Sequence, residues 1–127
     1  MISNKLKNLF YISIPLFIAH GVEEYFTGLY NFDPFYQLFS NPKIVFVFVV
    51  LVLLNVLLII SYILVQKNKW SLALSTALGI LLVLELIHIY DAMRVGGYYP
   101  GLYTALVFPI IGFFFWKELL KNFVAKP

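Results

Sequence analysis

Two short patterns hold nearly all the residues of this chain that can do chemistry. His20, Glu23 and Glu24 stand at i, i+3 and i+4, the spacing that gathers side chains on one face of a helix. Glu85 and His88, at i and i+3, share a face in the same way. The chain has no cysteine, so thiolate sites are excluded and any metal must be held by imidazole and carboxylate, which suits zinc, iron or manganese. A Glu-x-x-His pair facing further carboxylates is how four-helix di-metal proteins hold iron or manganese. The candidate metal ligands are therefore His20, Glu23, Glu24, Glu85 and His88. The second and fourth apolar segments offer no acid at this depth, so one divalent ion fits better than two.

The same residues support a metal-free alternative in which His20, Glu23 and Glu24 act as catalytic acid and base, tuned by a low dielectric. A bis-histidine haem between His20 and His88 fits less well, because the adjoining acids crowd the place of an apolar macrocycle. A third feature is Tyr98-Tyr99-Pro100-Gly101, which opens the last apolar segment. Proline suits the first turn of a helix, and the free N–H groups there can hold an anion. Arg94, Tyr99 and Thr104 are accordingly candidate binders of a phosphate or carboxylate headgroup, set against a plainer reading as an ordinary Pro-Gly helix opening.

The elements that must position these groups are hydrophobic helices. With 62% hydrophobic and 12% charged residues, the chain has too little polar surface to cover a water-soluble globule. Four stretches approach the roughly 20 apolar residues that cross a bilayer: 9–26, 44–65, 71–92 and 101–120. Residues 1–127 thus read as one domain, an all-α bundle of four transmembrane helices. The aromatic connection 27–42 is expected to lie in the interface as a short helix or lid. Counted along the first and third stretches, His20, Glu23, Glu24, Glu85 and His88 fall in one layer, about a third of the way in from one side. Pro15 and Pro109 are expected to kink their helices, and Asn55 to bridge helices.

Charge gives an orientation. Lys5, Lys7, Lys67, Lys69, Lys117, Lys121 and Lys126 fall on one side, against Lys43 and Arg94 on the other, which places both termini in the cytoplasm by the positive-inside rule. Trp70 and Trp116 beside Lys69 and Lys117 suit interfacial anchors on that side. Lysines spread over the ends of apolar runs do not make a nucleic-acid surface; the expected partners are membrane lipids. A cleaved signal peptide is the lesser reading of the N-terminus, since Pro15 and the acids after the apolar run are unusual there.

At His20-Gly21-Val22-Glu23-Glu24 the chain resembles the HXXEE family of small membrane proteins, named for that motif. Tyr98-Tyr99-Pro100-Gly101 is similar to the family's Tyr-Ser-Pro-Gly segment, with Tyr99 in place of serine. His88 matches the histidine of its Asn-x-x-x-His motif, with Leu84 where asparagine is expected and Glu85 next to it. The resemblance covers most of the chain and implies which residues matter, without bringing an established activity.

Ionisable residues inside membrane spans cost roughly 2.5–3.5 kcal/mol each on insertion scales, so such a cluster calls for a function. The leading expectation is a membrane-embedded metal-dependent or acid-base enzyme, a hydrolase or isomerase, acting on a lipid or isoprenoid-like molecule that reaches it sideways from the bilayer. The alternatives are a proton- or cation-coupled carrier or sensor, for which so few spans call for a homodimer, and a structural membrane protein in which the cluster only satisfies itself.

Overall fold

The computed structural model describes residues 1–67 and 69–125, and Lys126 of the charge count lies outside them. Among the described residues every regular element is helical. Helix α1 spans Asn4–Thr27, α2 is the short Pro34–Gln37, and α3, α4 and α5 run over Pro42–Val65, Ser71–Val95 and Leu102–Val124. The last three are long and apolar enough to cross a membrane. At about 1.5 Å per residue, the 24 residues of α3 reach about 36 Å, beyond a hydrocarbon core of about 30 Å. Helix α1 equals α3 in length but falls short in apolar content, with Lys5 and Lys7 at its start and His20, Glu23 and Glu24 in its C-terminal half.

Local chemistry sets the helix ends. The Ser3 hydroxyl accepts from Leu6 N at 3.2 Å to start α1, and Gly28 stops it at φ 77° with its N–H donating to Tyr25 O at 3.3 Å. Pro42 opens α3 behind Asn41, whose Oδ1 accepts from Ile44 N at 3.2 Å. Gly96, at φ 70°, closes α4. The connection 28–41 forms a 3-10 turn at Leu29–Asn31 and then α2, whose Tyr36 packs with Leu29 on Phe46 of α3. The segment expected as a lid is therefore a cap folded over one end of the helices.

Helix α1 packs along α3 and α5, and α4 packs along α5 and the C-terminal half of α3, so α1 and α4 face each other across the diagonal. The shared core holds Leu6, Phe10, Phe17, Leu58, Leu82, Phe108, Phe115 and Leu119. At the end bearing the termini, buried Glu118 pairs with Lys121 at 2.8 Å and Lys5 at 3.4 Å. Ser3 N donates to Asn122 Oδ1 at 2.8 Å beside them. Outward faces carry exposed Ile63, Ile80 and Phe113, a cost in water that hydrocarbon removes.

Three of the long helices depart from regular α geometry. Val47–Leu54 of α3 winds as π-helix, and Asn55 Nδ2, just past its end, donates to Val50 O at 3.3 Å and Leu51 O at 3.0 Å, carbonyls in the middle of the wide stretch. Asn55 thus serves its own helix rather than a neighbour. Helix α4 tightens at Glu85, where Leu86 N donates to Val83 O and His88 N to Glu85 O, and α5 is interrupted before Pro109, where Val107 N donates to Thr104 O. Pro15 sits inside a continuous α1.

Trp116 of α5 lies against Gly79 of α4, where a Cβ would meet its ring at 3.1 Å, and its Nε1 donates to Gly79 O at 3.0 Å. Trp116→Phe keeps the aromatic packing and deletes that bond. The expected loss is about 1 kcal/mol in reversible detergent unfolding, and an unchanged midpoint would assign the contact to packing alone.

Candidate metal centre

One turn of α1 separates His20 from Glu24, and both side chains point into the bundle, only 3% and 5% exposed. Across the diagonal, the tightening of α4 at Glu85 brings positions i and i+3 nearly into line, so Glu85 and His88 stack on the same side. The two pairs meet. His20 Nε2 lies 2.9 Å from Glu85 Oε2 and 3.3 Å from Glu24 Oε1, while His88 Nε2 lies 3.1 Å from Glu24 Oε1 and 3.4 Å from Glu85 Oε2. Two nitrogens and two oxygens therefore alternate around one point, one ligand atom from each residue, all within 4.8 Å of one another.

The outer nitrogens determine what the inner ones offer. His88 Nδ1 lies 2.8 Å from Pro100 O, a carbonyl that only accepts, so Nδ1 carries the proton. His20 Nδ1 lies 2.6 Å from Thr104 Oγ1, whose single proton goes to Glu23 Oε2 at 2.5 Å. Thr104 must then accept from His20, and Nδ1 is again the donor. In the neutral imidazoles both Nε2 lone pairs consequently face the carboxylates. His20 Nε2 is buried and makes no well-formed hydrogen bond.

Glu23 is turned out of this group. Its carboxylate accepts from Tyr98 Oη at 2.7 Å, Tyr103 N at 3.0 Å, Thr104 N at 2.8 Å and the Thr104 hydroxyl. It occupies the first turn of α5, where the sequence suggested an external phosphate or carboxylate, so the anion there is the chain's own. Neighbours on a helix differ by about 100°, which is why Glu23 and Glu24 do different things. Of the other expected headgroup binders, Thr104 joins Glu23 to His20, and Arg94 is largely exposed and pairs with Asp91 at 3.2 Å. Tyr99 lines a cavity beside the centre.

That cavity, about 300 Å³, has His20, Glu24, Glu85 and His88 on its floor and Tyr36, Tyr99, Asp33 and Asp91 above. Burial, followed by the charges of Glu24, Asp33 and Glu85, pushes the Tyr36 hydroxyl up to about 12. Tyr99 is raised too, first by burial and then by Asp91 and Asp33. Leu84 and Ile87 of α4 line the cavity while remaining exposed on the outer face, so it reaches the side of the bundle between α3 and α4.

Sequence reasoning missed the Pro100 carbonyl and the need for Gly101. At φ 86° Gly101 is in a conformation that side chains resist, and a Cβ there would stand 2.8 Å from His20 Cε1 and 3.1 Å from His88 Nδ1. Its place in the Tyr-Tyr-Pro-Gly segment was a signal, but which backbone atoms approach the imidazoles depends on how the loop folds.

Over the described residues, the fold and the site define an all-helical protein with three helices long and apolar enough to cross a bilayer and a buried histidine–carboxylate group that could hold a metal. The family model for proteins of unknown function with an HXXEE motif matches residues 11–115, and the chain belongs to that family. Comparison with curated proteins and with solved structures gives no match.

Gly101→Ala should cost about 2–4 kcal/mol, combining left-handed backbone strain with overpacking against His20. Gly97→Ala, with nothing within 4 Å of the added carbon, should stay within about 0.5 kcal/mol. Equal effects on the denaturation midpoint would contradict the close approach at Gly101.

Proposed function

We propose that this chain is a four-span membrane enzyme with one divalent metal ion held by His20, Glu24, Glu85 and His88, acting on a lipid- or isoprenoid-like molecule. The observation that carries the reading is the convergence of four possible ligand atoms within 4.8 Å, with the outer nitrogens of both histidines already hydrogen-bonded. With both imidazoles neutral, two carboxylates and two lone pairs repel one another in a low dielectric; protons on the two Nε2 atoms or a metal cation among them would relieve this, and we take the metal. Imidazole and carboxylate oxygen suit zinc, iron or manganese, and ligating histidines characteristically donate their other N–H to a carbonyl or an anchored polar group. Glu23 buttresses His20 through Thr104 and is a positioning residue in this scheme.

A divalent ion bound there supplies Lewis acidity and lowers the pKa of water. The protein's part is to hold the ligands in register, keep bulk water out and admit substrate through the opening between α3 and α4. The packing of α1 along α3 and α5 supports its insertion as a fourth span, and neutralising Glu24 removes the main objection to burying it. The lysine distribution supports cytoplasmic termini.

Protein purified in detergent and reconstituted with zinc, iron or manganese should carry close to one ion per chain by elemental analysis. His20→Ala and Glu24→Gln should reduce that to background with helicity retained. Thr104→Val, which touches no ion, should weaken binding by about 10–100-fold. Folded wild-type protein that takes up none of the three metals would end the metal-centre reading.

A further inference from the structure

The cavity beside the centre is lined by four carboxylates, those of Glu24, Glu85, Asp33 and Asp91, and by no lysine or arginine among the described residues. A divalent ion held by the centre balances Glu24 and Glu85 and leaves Asp33 and Asp91 as the other two carboxylates of the lining. Each aspartate has one oxygen committed: Asp33 Oδ1 accepts from Phe35 N at 2.8 Å, and Asp91 Oδ1 pairs with the exposed Arg94. The remaining oxygens belong to the same cavity lining as the rings of Tyr36 and Tyr99. Aromatic faces beside carboxylates attract a cation.

The region's natural anion site is already filled, since Glu23 occupies the first turn of α5. His20 Nε2, 3% exposed and without a well-formed hydrogen bond, faces the floor of the cavity, which marks this space as a place for a ligand rather than a packing fault. At about 300 Å³ the cavity is at the small end of ligand sites, enough for a headgroup and a few carbons, with the opening past Leu84 and Ile87 left for an apolar tail.

We infer that the substrate class of this site is an amphiphile with a cationic amine head, and that phosphate and carboxylate heads are excluded. The inference rests on the proposed membrane-embedded metal centre and adds to it the charge of the molecule that enters. Asp33 and Asp91 are the residues that select it.

Zinc-reconstituted protein in phosphatidylcholine nanodiscs is titrated with dodecylamine, dodecanol and dodecyl phosphate by calorimetry, subtracting protein-free discs. Dodecylamine should bind at least tenfold more tightly than dodecanol, and dodecyl phosphate should show no saturable binding. The Asp33→Asn, Asp91→Asn double variant should lose the amine preference by tenfold or more while keeping its zinc. Asparagine caps a helix as well as aspartate, so α2 should keep its start. Zinc uptake with no amine preference, or a preference that survives the double variant, overturns the selection by charge and leaves the metal centre standing. Failure to take up zinc with the aspartate-dependent amine preference intact overturns the metal centre and leaves amine recognition standing.

Discussion

Two imidazole nitrogens and two carboxylate oxygens, brought together from opposite sides of a helical bundle, form the constraint on which the rest of this structure depends. His20 and Glu24 come from α1, Glu85 and His88 from α4, and these helices are not packing neighbours. They are held at the right separation by α5, which packs on both, and by the loop before it, which supplies Pro100 O and Gly101 to the two imidazoles. Polar contacts at this level hold the outer nitrogens of both histidines, His20 through Thr104 and His88 through Pro100 O.

Departures from ideal helix geometry gather around the same level. The tight turn at Glu85 aligns two ligands of α4, the interruption before Pro109 follows the turn that carries Thr104, and the wide turns of α3 lie where Val50 and Leu51 meet Gly21, next to His20. Tight and wide turns inside helices commonly mark functional positions, because regular winding would be the stabler choice elsewhere. Helix α1 runs without interruption through Pro15 and carries His20 and Glu24.

Much of this was legible from residue types. Hydrophobic runs gave the long helices to within a few residues, and counting rise per residue placed His20, Glu24, Glu85 and His88 at a common height. What spacing alone cannot decide is direction. Glu23 and Glu24 are both compatible with the face of His20, and only the position of α5 shows that the first turns to its N-terminus while the second turns to the centre. Thr104 was noticed for the wrong neighbour, because its bond to His20 crosses 84 positions of sequence. Of the four stretches expected to span, three are long and apolar enough among the described residues, and the polar residues that make α1 useful dilute its apolar character.

The wide winding of α3 acts as a correction of phase. Phe46 and Leu58 are both buried, the first beneath the cap and the second in the shared core. Their separation of twelve residues amounts to about three and a third turns of an ordinary α-helix, which would leave them a third of a revolution apart. Five-residue closure through Val47–Leu54 takes back much of that excess and lets one rod show compatible sides to two different partners. Changing the chain length inside that stretch by one residue would therefore rotate the cap end against the core end, unsettling the roof of the cavity without touching any ligand in it.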